Sequence, residues 1–215
     1  MKYEYLLFDL DGTLTNSERG IKNAICYSLE YFGIKETDLD KLDNFIGPPL
    51  TKSYPEYYGF DEEKTEEAVR LYREYYNRQG LFENELYEGI DGLLRDLKQA
   101  GYKLLVATSK PEDFTVRILK HFGIYDYFDF VGAATMDEVR KEKEQVVAYT
   151  LESMAIADKS KCLMIGDRKY DIVGAKINGI DSLGITYGFG DREELMTAGA
   201  NYVLDTVEDV RAFFL

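Results

Sequence analysis

Tyr5-Leu6-Leu7-Phe8-Asp9-Leu10-Asp11-Gly12-Thr13 is the stretch whose reading decides the fold. Leu6-Leu7-Phe8 is a short apolar run of the kind that forms a buried strand. It is followed at once by two carboxylates, Asp9 and Asp11, and by Gly12, which lets the backbone turn tightly. In open α/β sheets ligands gather beyond the carboxyl ends of the strands. Two acids emerging there repel each other unless a cation or a shared proton compensates. Taken alone, Asp-x-Asp-Gly is an ordinary acidic surface turn. Behind a buried strand, and with distant partners of matching chemistry, it becomes a candidate nucleophilic site centred on Asp9.

Working outward, the next residues change pattern. Ile21, Ala24, Ile25, Leu29 and Phe32 share one helical face that stops at Gly33. An acidic helix-like stretch, Asp38 to Asn44, leads into Ile46-Gly47-Pro48-Pro49-Leu50, where two prolines interrupt regular structure. Ala68, Val69, Leu71, Tyr72, Tyr75 and Tyr76 line a further helix from Asp61 to about Gln79. No segment between Thr15 and Gly80 reads as a strand, so an all-helical insertion is predicted. Beyond it, strands alternate with helices: Leu104 to Ala107, Phe130-Val131, Cys162 to Ile165, Ser182 to Ile185 and Tyr202 to Leu204. Pro111 is expected as the first residue of the helix after Thr108-Ser109-Lys110. Alternation at this spacing implies right-handed crossovers and a doubly wound parallel sheet, an α/β Rossmann-like core. The predicted division is a core of 1–15 and 82–215 with a helical cap of 16–81.

Composition narrows the possibilities. The 215 residues are 45% hydrophobic, enough for a core, and carry a net charge of −14 without a basic run. That excludes nucleic acid and anionic membrane as expected partners. A small phosphorylated molecule is not excluded, because a metal and a few lysines invert the field locally. Cys26 and Cys162 lie far apart and read as free thiols. With no membrane-length apolar run and no apolar leader, the expectation is a soluble cytoplasmic protein.

Four segments sit at predicted strand ends: Asp9-x-Asp11, Thr108, Arg140-Lys141-Glu142-Lys143 and Gly166-Asp167-x-x-x-Asp171. With Ile46 to Leu50 and Tyr187-Gly-Phe-Gly190, this ordered set resembles the haloacid dehalogenase superfamily. The likeness is to the phosphoglycolate-phosphatase-like subgroup with a small helical cap, and it runs nearly end to end. It implies a Mg²⁺-dependent phosphomonoester hydrolase acting on a phosphoglycolate-like acid or a nucleoside monophosphate, as a monomer or homodimer. Asp9 is then the nucleophile and Asp11 the acid and base. Mg²⁺ falls to Asp9, the Asp11 carbonyl and Asp167, with Asp171 close by. Thr108 and the backbone from Gly12 and Ser109 hold phosphoryl oxygens, and a lysine pairs with the phosphoryl group and Asp9. The register of Val146, Val147 and Leu151 points to Lys143 for that task, leaving Lys141 solvated and Lys110 lining the site mouth. Substrate reading falls to Gly47, Pro48, Lys22 and Arg19 in the cap.

Each of these residues also has a purely structural reading. Thr108 reads equally as a helix cap, Lys143 as a solvated helix start, and Asp171 as a first-turn dipole partner. A sugar phosphomutase of the same superfamily, or a phosphoacceptor signalling module, are the rival assignments. The first usually needs a cap histidine, which this chain lacks. The second places its phosphorylated Asp mid-chain and has no helical insertion.

Overall fold

The computed structural model describes residues 2–137 and 139–215. In chain order the elements are β1 (Tyr5–Phe8), β2 (Thr15–Asn16), α1 (Glu18–Tyr31), α2 (Leu50–Tyr58), α3 (Glu62–Arg78), β3 (Glu85–Leu86) and α4 (Ile90–Gln99). There follow β4 (Lys103–Pro111), α5 (Glu112–His121), β5 (Phe130–Ala134), α6 (Lys143–Ser153), β6 (Cys162–Gly166) and α7 (Lys169–Asn178). The chain closes with β7 (Asp181–Ile185), α8 (Arg192–Ala198), β8 (Tyr202–Leu204) and α9 (Val207–Phe214). Two compact units result, one made of residues up to Thr15 with Leu86–Leu215, the other of Asn16–Glu85. The return to the first unit thus falls at Leu86, where the sequence reading set it at 82.

The first unit is built on a six-stranded parallel sheet in the order β5-β4-β1-β6-β7-β8. β1 lies between the strands that carry the other motifs, Leu6 pairing with Leu104 on one side and Leu163 on the other. Buried on both faces, these strands are continuously apolar rather than alternating. Leu7, Leu105, Ala107, Cys162 and Met164 pack with Val146, Val147 and Leu151 of α6 and Ala175 of α7 into one cluster. Each fully buried large aliphatic side chain contributes about 1.5–3 kcal/mol, so the strand that presents Asp9 is among the best anchored parts of the chain.

Two local expectations are corrected. Pro111 ends β4 in an extended conformation, with ψ of 143°, and α5 starts at Glu112. The acidic Asp38 to Asn44 stretch forms only a 3₁₀ turn over Asp40–Phe45. Both cysteines are free, Cys162 buried and Cys26 half-buried. No helix among the described residues is long and apolar enough to cross a membrane.

The second unit is helical. α1 and α3 meet there, and Phe45 gathers Tyr54, Tyr57 and Tyr58 at ring separations of 5.2–5.9 Å. Glu83 ties the helices, accepting from Asn23 Nδ2 and Gln79 Nε2 at 2.8 Å and from the Tyr75 hydroxyl at 3.2 Å. Gly20 permits the closest approach: a Cβ there would lie 2.0 Å from the carbonyl oxygen of Gly80. Backbone on backbone has no side chain to swing aside. Gly20→Ala is therefore expected to cost about 1–3 kcal/mol, as overpacking does, read as a lowered urea midpoint at unchanged far-UV dichroism.

Candidate active site

The site grows from the carboxyl edge of the sheet in the first unit. β1 ends at Phe8 and hands on Asp9, whose backbone N–H bonds the Ile165 carbonyl of β6 at 2.9 Å. β6 ends at Gly166, so Asp167 emerges alongside, and Asp171 follows in the first turn of α7. One oxygen from each of Asp9, Asp167 and Asp171 lies within 4.8 Å of the others, and all three residues are buried. Lys143 opens α6 and reaches the same point. Its Nζ stands 2.7 Å from Asp9 Oδ1 and 2.8 Å from Asp171 Oδ1. The ammonium also donates to the Ala107 carbonyl at 3.0 Å.

Electrostatics follow from that count, three acids around one base. Burial pushes the Asp9 carboxyl up to about 6, against the pull of Lys143 and with a further push from Asp171 and Asp11. Burial raises Asp167 well above the usual carboxylate range, and the charges of Asp171 and Asp9 add to it. For Lys143 burial works downward, but Asp171 and Asp9 outweigh it and hold the ammonium charged. The cluster therefore carries an excess of negative charge in a dry place, with an all-oxygen donor set. Such a set suits a hard divalent cation such as Mg²⁺, which keeps few carboxylates and several waters. The Asp11 carboxylate is not part of this triad; its Oδ2 takes a 2.6 Å bond from Lys110 Nζ.

Asp167 is held by residues the sequence assigned no role. The Thr13 hydroxyl donates to its Oδ1 at 3.2 Å and the Phe189 N–H to its Oδ2 at 2.9 Å. The Tyr187 hydroxyl in turn bonds the Thr13 carbonyl at 3.1 Å. Gly188 is required by this closeness, since a Cβ there would lie 2.2 Å from the Gly12 carbonyl oxygen and 2.5 Å from Asp167 Cβ. The Tyr187-Gly-Phe-Gly190 motif is the backbone wall around Asp167. The signal was the pair of glycines flanking Phe189, which marks close backbone approach without saying to what.

The other predicted residues are placed as follows. Thr108 is buried near the end of β4, and its Oγ1 accepts from the Lys110 N–H at 3.2 Å; it does not cap α5. Ser109 is half-buried beside it, and Gly12 is buried with φ of +82°. Asp171 serves its helix as well as the cluster, its Oδ2 accepting from the Arg168 N–H at 3.0 Å. Lys141 is half-buried, its N–H bonded to Gln145 Oε1 at 3.0 Å. Lys22, Gly47 and Pro48 belong to the helical unit. There the Lys22 ammonium is held by Glu18 at 2.5 Å and Asp43 at 2.6 Å, Gly47 is exposed, and Pro48 is half-buried.

A doubly wound sheet with acids and buried lysines at its carboxyl edge defines an α/β enzyme that handles a polyanionic group. The chain matches the haloacid dehalogenase-like hydrolase family over residues 6–185 and belongs to it. It is 43% identical over 195 residues to a 5′-nucleotidase of Pseudomonas aeruginosa strain PAO1, covering 91% of this chain and 88% of that one. It is 38% identical over 187 residues to the tyrosine-protein kinase PtkA of Mycobacterium tuberculosis, covering 87% of this chain but only 63% of PtkA. Enzymes named phosphoglycolate phosphatase and pyrophosphatase PpaX stand among its relatives at 30–31% identity. The crystal structure of a predicted phosphatase from Clostridium acetobutylicum superposes with a TM-score of 0.95 at 47% identity, covering 99% of this chain and 98% of that one. The chain is a hydrolase of the phosphatase class.

The acid excess has a measurable consequence. With a folded-state pKa of about 6 against an ordinary 3.8, Asp9 binds its proton more tightly in the folded protein. That stabilisation is complete below about pH 3.8 and is lost as pH rises through 6. An amide mimics the neutral form, so in EDTA Asp9→Asn should be more stable than wild type at pH 7.5. The gain is at most about 3 kcal/mol at 1.36 kcal/mol per unit, and it should shrink as pH falls from 6 towards 4. Denaturant unfolding of both proteins across that range checks the sign.

Proposed function

We propose that this chain is a Mg²⁺-dependent phosphomonoester hydrolase that works through an aspartyl phosphate on Asp9. The observation that carries the reading is the buried Asp9 carboxylate 2.7 Å from the Lys143 ammonium and clustered with Asp167 and Asp171. Asp9 attacks phosphorus in line, and the leaving oxygen takes a proton from Asp11. Asp11 then removes a proton from the water that hydrolyses the acyl phosphate. Lys143 pairs with the phosphoryl oxygens as well as Asp9, lowering the repulsion between two anions. Thr108 accepts the Lys110 N–H, so its own hydroxyl proton remains to donate to a phosphoryl oxygen, beside the N–H of Ser109. Asp9, Asp167, the Asp11 carbonyl and the neighbouring Asp171 would hold the metal, which supplies positive charge where the anionic groups must meet.

The substrate class is a small phosphorylated metabolite. Nucleoside monophosphates stand ahead of phosphoglycolate-like acids, on the 43% identity to an enzyme named 5′-nucleotidase. A second reading, phosphoryl transfer to a protein acceptor, draws on the 38% identity to PtkA, of whose length the chain spans 63%. Both begin from a reactive Asp, and they differ in where the phosphate goes.

Phosphate release from nucleoside 5′-monophosphates, 2-phosphoglycolate and pyrophosphate, with and without Mg²⁺, tests the proposal. Many turnovers per chain are expected with Mg²⁺ and none in excess EDTA. Asp9→Asn should lose about 10⁴-fold or more in kcat, as loss of a covalent nucleophile does elsewhere. Release of the alcohol that stops near one per chain, with the phosphoryl group kept on the protein and no phosphate freed, would favour the protein-acceptor reading. An Asp9→Asn variant keeping a few per cent of activity sinks both.

A further inference from the structure

We propose that Lys110 is the positioning residue for Asp11: it bonds one carboxylate oxygen and so aims the other at the leaving group. The Lys110 Nζ lies 2.6 Å from Asp11 Oδ2, and the two side chains are 6% and 19% exposed. Asp11 Oδ1 is buried and accepts no hydrogen bond among the described residues. The two oxygens are thus differentiated, one committed to the lysine and one kept for exchange of a proton. Both backbones are fixed. The Leu10 carbonyl accepts from the N–H groups of Leu14 and Thr15 at 2.9 and 3.0 Å, locking the turn that carries Asp11. The Lys110 N–H is bonded to Thr108 Oγ1, and its carbonyl accepts from Thr115 Oγ1 at 3.3 Å. What remains mobile is the Asp11 side chain itself, with two torsions, and the Lys110 ammonium removes that freedom. Lys110 was expected to bind substrate at the site mouth. The structure sets its ammonium against Asp11.

The consequence is selective. When the Asp9 oxygen bonds to phosphorus, the ester P–O bond breaks and its electron pair stays on the departing oxygen. An alkoxide must take a proton from Asp11 as it leaves, whereas a p-nitrophenolate leaves without one. A loosely held Asp11 therefore penalises alkyl esters and largely spares aryl esters. A lysine that merely bound the phosphoryl group would affect both alike.

The inference rests on Asp11 as the acid, and the experiment separates the two. kcat/KM, which reports only steps up to departure of the alcohol, is measured for an alkyl phosphate and for p-nitrophenyl phosphate. Wild type, Lys110→Met, Lys110→Arg and Asp11→Asn are compared. Lys110→Met should lose about 10–100-fold on the alkyl ester, within the range of general acid catalysis, and at least tenfold less on the aryl ester. Lys110→Arg should recover part of the alkyl loss, and Asp11→Asn should show the same split enlarged. Equal losses on both esters, or no loss on either, overturn the positioning role while leaving Asp11 as it stands. If Asp11→Asn itself shows no split, the acid assignment falls and the proposal falls with it.

Discussion

Three buried carboxylates cluster at the end of a parallel sheet around a lysine that pairs with two of them, and the local architecture answers that imbalance. Burial alone would neutralise such acids by raising their pKa values. Lys143 offsets this only in part for Asp9, as the shift of Asp9 to about 6 records. Asp167 pairs with no lysine among the described residues and is held by hydrogen bonds from Thr13 and Phe189. The chain keeps these groups apart in sequence and together in space, on the ends of β1 and β6 and the starts of α6 and α7. Rigid strands and helix starts hold such repelling groups in place more tightly than loops would. The cost in stability is accepted where function needs the charge.

What was legible in the sequence was the part governed by local pattern. Leu6-Leu7-Phe8 before Asp9, the apolar run before Asp167 and the helical face after Lys143 each announce a strand end or a helix start. Parallel topology brings those ends to one edge, and the resemblance to the superfamily singled out Asp9, Lys143, Asp167 and Asp171 among the residues gathered there. The start of α5 was misjudged by one residue, because Pro111 suits both an extended N-cap and a first helical position, and the bond network of β4 decided for the former.

The illegible part lies in contacts between loops. Nothing local to Lys110 tells that its ammonium meets Asp11 across 99 positions rather than a ligand. Nothing local to Gly188 or Phe189 tells that they enclose Asp167. Nothing local to Lys22 tells that Glu18 and Asp43 of its own unit engage its ammonium. Residue type gives the chemistry a side chain is capable of, whereas its actual partner depends on loop geometry.

The place of β1 in the sheet also dictates an order of events. Leu6 has no sheet partner until Leu104 and Leu163 exist, so β1 waits for the later strands on either side of it. Asn16–Glu85, by contrast, is contiguous and can compact from local contacts alone. Because loop closure must precede long-range pairing, sheets of this kind form late. During synthesis Leu6-Leu7-Phe8 is an exposed apolar strand next to two acids, and the charge of Asp9 and Asp11 guards it from self-association in that interval. The pair at the centre of the chemistry thus also serves, earlier in the life of each molecule, as its solubilising flank.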